Sequence, residues 1–369
     1  MRRNDLDWLR VLVFACLIFY HAGMFFVPWG WHIKNNVIYD WLRYPMLFLN
    51  QWRLPILFVI SGMGTYFALA KRSAFQFPFE RIKRLLLPLA FGMAVVVPPQ
   101  VYVERISKNE FTGSYFDFWP SLAFNGVYPE GNLSWHHLWF LPYLLSYSLI
   151  LLPLFIYLRN HETNHFINFM KNKVLKSRWS IYIMILPLYF IEAFVEPFFP
   201  ETHAFIGDWF VLINFLVFFF YGFVLMNVRE LFWEMVESHR VFYLTCGLLA
   251  FTIFLFTVIT FEDSTVRHFT EAMIKVFNIW SWILAIFGFA AAYLNKPGKV
   301  LNYCNEAVYP FYILHQTVMI IIAYFLMNLS WGLLAKGSIL SLGTFLVSWI
   351  IYEFGIRRWK VVRPLFGLK

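Results

Sequence analysis

Three histidines and a pair of arginines are the residues of this sequence whose types and surroundings point to chemistry. His21 lies inside a long apolar run, eleven positions beyond Arg10. At 1.5 Å per helical residue that is about 16 Å along the axis, at or just past the middle of a bilayer. An ionisable side chain at that depth is costly unless it bonds to a neighbouring helix or faces a polar, functional interior. His315 sits at the edge of a polar stripe on another apolar run, where Asn305, Tyr309, Tyr312 and Gln316 recur at i, i+4, i+7 and i+11. Such a stripe on a buried helix lines a cavity or bonds to other helices. His137 follows His136 at the start of a third run. Adjacent helical residues point about 100° apart, so the pair is poorly placed to chelate one metal, and at most one of the two faces the interior. With no HExxH pattern either, no metal site is expected.

Arg81 and Arg84 stand in Glu80-Arg81-Ile82-Lys83-Arg84, ahead of Leu85-Leu86-Leu87-Pro88. At i, i+3 they share one helical face, where two guanidinium groups can grip a phosphorylated ligand bidentately. Simple anchoring of a helix end by positive charge accounts for the same residues. Asp7 and Arg10 repeat the spacing at the start of the first run, where opposite charges meet. Arg53 precedes Pro55, which reads as a helix start, and then Ser61-Gly62-Met63-Gly64, whose small residues suit close helix packing.

The elements that must position these groups follow from composition. Of 369 residues, 60% are hydrophobic and only 14% charged, far too few charges for a soluble surface. Apolar runs fall at about 9–29, 54–70, 85–103, 137–158, 180–198, 209–227, 241–261, 272–294, 306–327 and 337–356. The expected fold class is therefore all-α, a polytopic transmembrane protein with about ten spans. Spans of about twenty residues would use roughly 200 positions, so residues 1–369 are expected to form a single transmembrane domain with no soluble domain. The first run begins Met1-Arg2-Arg3, as a signal peptide does, but no small-residue cleavage site follows and the run is expected to be retained. Alternate loops hold 22 of the 30 Lys and Arg residues. That side is expected to be the cytoplasm and to hold both termini. On the opposite side residues 104–136, rich in aromatics, and residues 30–53, with Trp31, Trp41 and Trp52, are expected to lie partly in the membrane interface. The net charge of +9 is strung between apolar runs and forms no patch, so nucleic acid is not an expected partner. Cys16, Cys246 and Cys304 imply no disulfide framework.

Taken in order, these motifs resemble the integral-membrane acyltransferases of the acyltransferase 3 family. The resemblance covers essentially the whole chain and rests on Asp7-x-x-Arg10 with His21, Phe58-Val59-Ile60-Ser61-Gly62, Arg81-x-x-Arg84 with Pro88, His137-Leu138-Trp139-Phe140-Leu141, and Tyr309-Pro310-Phe311-Tyr312-Ile313-Leu314-His315. Gln51-Trp52-Arg53 and Tyr352-Glu353 look most like the subgroup that includes the succinyltransferase of osmoregulated periplasmic glucans. The resemblance implies about ten helices in the inner membrane and an acyl-coenzyme A donor bound from the cytoplasm. It implies no permanently bound cofactor, and a hydroxyl of a glycan or similar extracytoplasmic acceptor as the acyl's destination. It assigns the essential histidine to His21 and donor binding to Arg81 and Arg84, with Asp7, Arg10 and Arg53 as further candidates there. His315 and His137 compete for a place in the same cavity. On this view His21 is the general base for the acceptor hydroxyl, its ordinary pKa of about 6.5 suiting the task, or else the carrier of an acyl-histidine intermediate. The principal alternative is a secondary transporter or exporter using buried His and Arg, against which the lack of an internal repeat counts. A lipid-linked sugar glycosyltransferase would want paired acids, which Glu104, Glu110 and Asp117 do not form.

Overall fold

The computed structural model describes residues 3–161 and 164–368. Met1, Arg2 and Lys369, which entered the expectations for the first run and for the charge asymmetry, lie outside the described residues. The helices are α1 (Asn4–Met24), α2 (Arg43–Leu69), α3 (Gln76–Phe91), α4 (Pro98–Ser107), α5 (Tyr115–Ser121), α6 (Phe140–Ile150), α7 (Leu152–Asn160) and α8 (His165–Phe169). They continue with α9 (Ile185–Phe194), α10 (Trp209–Asn227), α11 (Arg229–Ser238), α12 (Arg240–Thr260), α13 (Thr265–Tyr293), α14 (Lys299–Leu326) and α15 (Leu333–Ile350). Among the described residues there is no β-strand beyond an isolated bridge between Val127 and Leu133. The protein is all-α and polytopic, as the composition required.

Each expected apolar run is helical. Among the described residues, eight helical stretches are long and apolar enough to cross a bilayer. The fourth run is a pair, His136–Ile150 and Leu152–Asn160, bent by 50°, and the fifth is the shorter stretch Ser180–Phe194. The break in the pair comes just before Pro153, which cannot continue the hydrogen-bond ladder.

Two boundaries differ from expectation. α2 starts at Arg43, so Pro55 lies inside the helix rather than at its start. Trp52 is buried, whereas Trp41 is exposed. Arg53 is buried in the helix body, with Nη2 donating to Asn50 Oδ1 at 3.1 Å. Neighbouring helices and local adjustments let a membrane helix absorb a proline, and the charge does not end it either. The third stretch likewise runs from Gln76 to Ser107, through a π-turn at Gly92–Val96 next to Pro98. Glu104, expected in the connection that follows, is thus a helical residue and is buried, while Arg81 and Arg84 lie on the helix as expected.

The chain divides into two compact units. The first comprises Met1–Arg10, Phe48–Phe79 and Tyr143–Gly298. Here α2 and α10 cross backbone to backbone. A Cβ on Gly62 would stand 1.9 Å from the Phe219 carbonyl oxygen, and one on Gly222 would stand 2.0 Å from that of Val59. The packing role expected of Ser61-Gly62 is thus met by a reciprocal glycine contact. Neither backbone can retreat, so Gly62→Leu is expected to cost at least about 3 kcal/mol, at or beyond the upper end for overpacking. It should be seen as a lower yield of monodisperse protein and an unfolding midpoint lowered by several degrees; an unchanged midpoint would refute the close crossing.

The second unit comprises Val11–Leu47, Glu80–Pro142 and Lys299–Lys369. Its core joins α1, α4, α14 and α15 through Ile18, Phe25, Val103, Met319, Ile320 and Leu340. Two lysines hold the chain after α1. Lys34 Nζ donates to the carbonyls of Met24, Val27 and Trp29, at the C-terminal end of α1 where partial negative charge gathers. Burial pushes its pKa down to about 8. Lys336, fully buried, donates to Asn35 Oδ1 at 2.6 Å and Asn36 Oδ1 at 3.0 Å.

Candidate active site

His21, in the last turn of α1, and His315, in the body of α14, meet in the second unit. Their rings stack with centroids 5.1 Å apart, and His21 Nδ1 lies 3.0 Å from His315 Nε2. The partners fix which nitrogen carries each proton. His315 Nδ1 lies 2.7 Å from the Tyr312 carbonyl oxygen, which can only accept. His315 therefore carries its proton on Nδ1 and, when neutral, offers the Nε2 lone pair. His21 donates to that lone pair from Nδ1, which leaves the lone pair of a neutral His21 on Nε2.

His137 is buried beside them, its ring edge-on to that of His315 with centroids 5.1 Å apart. Its Nε2 donates to the Ile313 carbonyl at 2.9 Å, so its Nδ1 accepts, here from Gln100 Nε2 at 3.3 Å. Both ring nitrogens of His137 are thus committed to the protein. The Tyr312 hydroxyl donates to the His137 carbonyl at 2.6 Å, binding α14 to the turn His136–Trp139. His136 also turns inward, its Nε2 buried, so both histidines face the interior, against expectation, because the His136 backbone at φ +43° departs from the helical geometry behind it.

The polar stripe on α14 bonds to other helices. Tyr309 donates from its hydroxyl to the Arg84 carbonyl at 3.0 Å, fastening α3 to α14. Gln316 Nε2 donates to Gln100 Oε1 at 3.2 Å, and Gln100 Nε2 donates to Thr317 Oγ1 at 2.6 Å. Arg81 and Arg84 share one face of α3, Arg81 half-buried and Arg84 exposed. Tyr309 precedes His315 by six residues, about 9 Å along the α14 axis. An apolar cavity of about 580 Å³ reaches His315 and Tyr312 between α1, α14 and α15, lined also by Phe14, Ile18, Phe345 and Leu346.

Asp7, Arg10 and Arg53 lie in the first unit. Arg10 Nη1 meets Asp7 Oδ1 at 3.2 Å, the i, i+3 ion pair expected of them. The structure thus gathers the three candidate histidines in one unit and places the arginine pair on a helix tied to the helix of His315.

Residues that sequence reasoning passed over complete the network. Gln100 and Thr317 are single polar groups inside apolar runs and gave no periodic signal. His32, whose Nδ1 lies 2.6 Å from Glu104 Oε2, follows the first run in what reads as a loop. Glu104 did carry a signal, since it falls four residues after Gln100 and thus on the same helical face.

The chain matches the model of the acyltransferase 3 family, an acyltransferase domain, over residues 3–353. Among curated proteins it is 23% identical to the glucans biosynthesis protein C of Escherichia coli O81 (strain ED1a), over 96% of this chain and 92% of that protein. It is 25% identical to the protein of the same name from Escherichia coli strain SMS-3-5, in an alignment covering 44% of this chain and 41% of that relative. The glucans biosynthesis protein C of Shigella dysenteriae serotype 1 is 24% identical over the same shares, 44% and 41%. No solved structure matches the chain.

Proposed function

The chain belongs to the acyltransferase 3 family, and on that premise we propose that it is a membrane O-acyltransferase. It moves an acyl group from cytoplasmic acyl-coenzyme A to a hydroxyl of an extracytoplasmic glycan or related acceptor. The observation that carries the reading is the His21–His315 pair, in which a committed His315 directs the lone pair of His21 to Nε2. The relatives named glucans biosynthesis protein C support a glucan as the acceptor class. The asymmetry of Lys and Arg supports an inner-membrane protein with both termini in the cytoplasm.

The steps balance. His21 Nε2 takes the proton of the acceptor hydroxyl as its oxygen attacks the thioester carbonyl carbon. The carbon–sulfur bond breaks, and the departing thiolate recovers the proton from His21. The products are the acyl ester and free coenzyme A, with His21 neutral again. Arg81 and Arg84 hold the donor phosphates at the mouth of α3, and the long, thin pantetheine arm carries the thioester in toward the histidines. His315 is a positioning residue in this scheme, as is His137.

The test is a pair of replacements at His315. Gln offers a carbonyl oxygen that can still accept from His21 Nδ1, whereas Leu offers nothing. We expect His315→Leu to lower kcat about a hundredfold, the order of one catalytic hydrogen bond with its alignment, and His315→Gln to recover about tenfold of that loss. Donor binding should be the same in both. Equal activity of the two variants would remove the orienting role.

A further inference from the structure

A second cluster of titratable groups in the same unit takes no part in the chemistry above. His32, Glu104 and His136 place three ligating atoms within 4.8 Å of one another. Glu104 is 1% exposed and well supplied with donors. Its Oε2 accepts from His32 Nδ1 at 2.6 Å, and its Oε1 accepts from Lys108 Nζ at 2.5 Å and from the Tyr128 hydroxyl at 3.0 Å. Burial, with the Glu104 charge adding to it, pushes the Tyr128 phenol up, so it stays protonated and able to donate. His32 Nε2, left with the lone pair, accepts from Gln316 Nε2 at 3.2 Å.

His136 differs from its neighbours. Its Nε2 is buried and has no hydrogen-bond partner. Its Nδ1 lies 2.6 Å from Ser134 Oγ, which already accepts the His136 backbone N–H at 2.9 Å. In the tautomer in which the serine hydroxyl donates to Nδ1, the ring proton sits on the orphaned Nε2. The backbone of His136 is held at φ +43°, in the left-handed region, a conformation that non-glycine residues keep only where surrounding structure enforces it. The rings of His32, stacked at 4.5 Å, and Tyr128, edge-on at 4.9 Å, clamp its imidazole. Arg105 fixes the segment leading to it, donating to the carbonyls of Pro129 at 2.6 Å and Gly131 at 2.8 Å and to Asn132 Oδ1 at 3.0 Å. A clamped, enforced side chain with an unanswered buried donor describes a site that lacks one partner.

The bonds these groups already make select what that partner is. Atoms of His136 and Glu104 up to 4.8 Å apart can both reach a shared oxygen at about 2.8 Å, an ordinary hydrogen-bond length, while His32, bonded to Glu104 and Gln316, holds the carboxylate in place. A zinc-like ion needs a lone pair from each ligand, which His32, donating from Nδ1 to Glu104 and accepting at Nε2 from Gln316, already commits, and the ammonium of Lys108 already on Glu104 opposes a further cation. A neutral donor, His136 Nε2, beside a carboxylate suits a hydroxyl group.

We propose that His32, Glu104 and His136 form an acceptor subsite that binds one hydroxyl of an uncharged polyhydroxylated molecule, a sugar, with His136 Nε2 donating to the hydroxyl oxygen and Glu104 accepting its proton. This rests on the acyl-transfer reading and adds where the acceptor is held. Gln316 joins the two sites, since it donates to His32 and Gln100 and stands next to His315 in α14.

The test is calorimetric titration of the purified full chain with a soluble glucose oligosaccharide in the absence of donor. His136→Ala is expected to weaken binding about tenfold, the order of one buried hydrogen bond. His136→Gln, which keeps an N–H donor, should retain most of it, and both variants should bind acyl-coenzyme A as the wild type does. Three results would overturn the proposal: oligosaccharide binding equal in wild type and His136→Ala, no oligosaccharide binding by the wild type, or stoichiometric zinc in the wild type that His136→Ala loses. A wild type that binds both oligosaccharide and donor yet transfers no acyl group would defeat the acyl-transfer reading and leave the subsite standing.

Discussion

His21→Asn should lower kcat about a thousandfold, the middle of the range for losing a general base, while leaving acyl-coenzyme A affinity within about twofold of wild type. The argument is chemical and steric together. Asn presents an amide N–H in place of the His21 Nδ1–H, so the hydrogen bond to His315 Nε2 can persist. It has no basic nitrogen, so the acceptor proton has nowhere to go as the oxygen attacks. Loss of kcat with donor affinity retained separates this from unfolding, which would lose both. A His21→Asn protein that turns over near the wild-type rate would eliminate His21 as the base.

The double replacement Arg81→Ala with Arg84→Ala should weaken donor binding about a hundredfold. A hydrogen bond to a charged group is worth about 1.5–3 kcal/mol, and because Arg84 is exposed the lower end applies, about tenfold for each arginine. Either single change to Lys should fall between, because an ammonium keeps the charge and loses the fork that matches phosphate. Equilibrium binding of radiolabelled acyl-coenzyme A reads this directly, without turnover. Equal affinity in the double variant would reduce the pair to anchors at the membrane surface.

His21, His137 and His315 could be found in the sequence because an ionisable group in an apolar run has few reasons to be there. Their mutual geometry could not. Stacking of His21 on His315 depends on which face of α1 meets α14, and periodicity within one helix says nothing of its neighbour. The arginine pair was visible for its spacing, while its link to α14 through Tyr309 was not. Glu104 and Arg53 were misplaced for one shared reason: apolar windows end at the first charge, but a helix whose backbone bonds are internal continues past it. His32 and His136 fell outside the apolar runs or at their edge, so their convergence on Glu104 emerged only from the folded chain. Gly62 announced close packing by its size, yet its partner Gly222 needed the structure.

On the proposed reading, this chain transfers an acyl group between two bound substrates. The direct measurement supplies purified wild-type protein, reconstituted in vesicles, with coenzyme A thioester labelled in its acyl group and a soluble glucose oligosaccharide, then follows both the label and the free thiol. Label should appear on the oligosaccharide in an alkali-labile ester, with one free coenzyme A thiol released per ester formed. Label remaining on the donor while the oligosaccharide crosses the vesicle membrane would contradict it and identify a transporter.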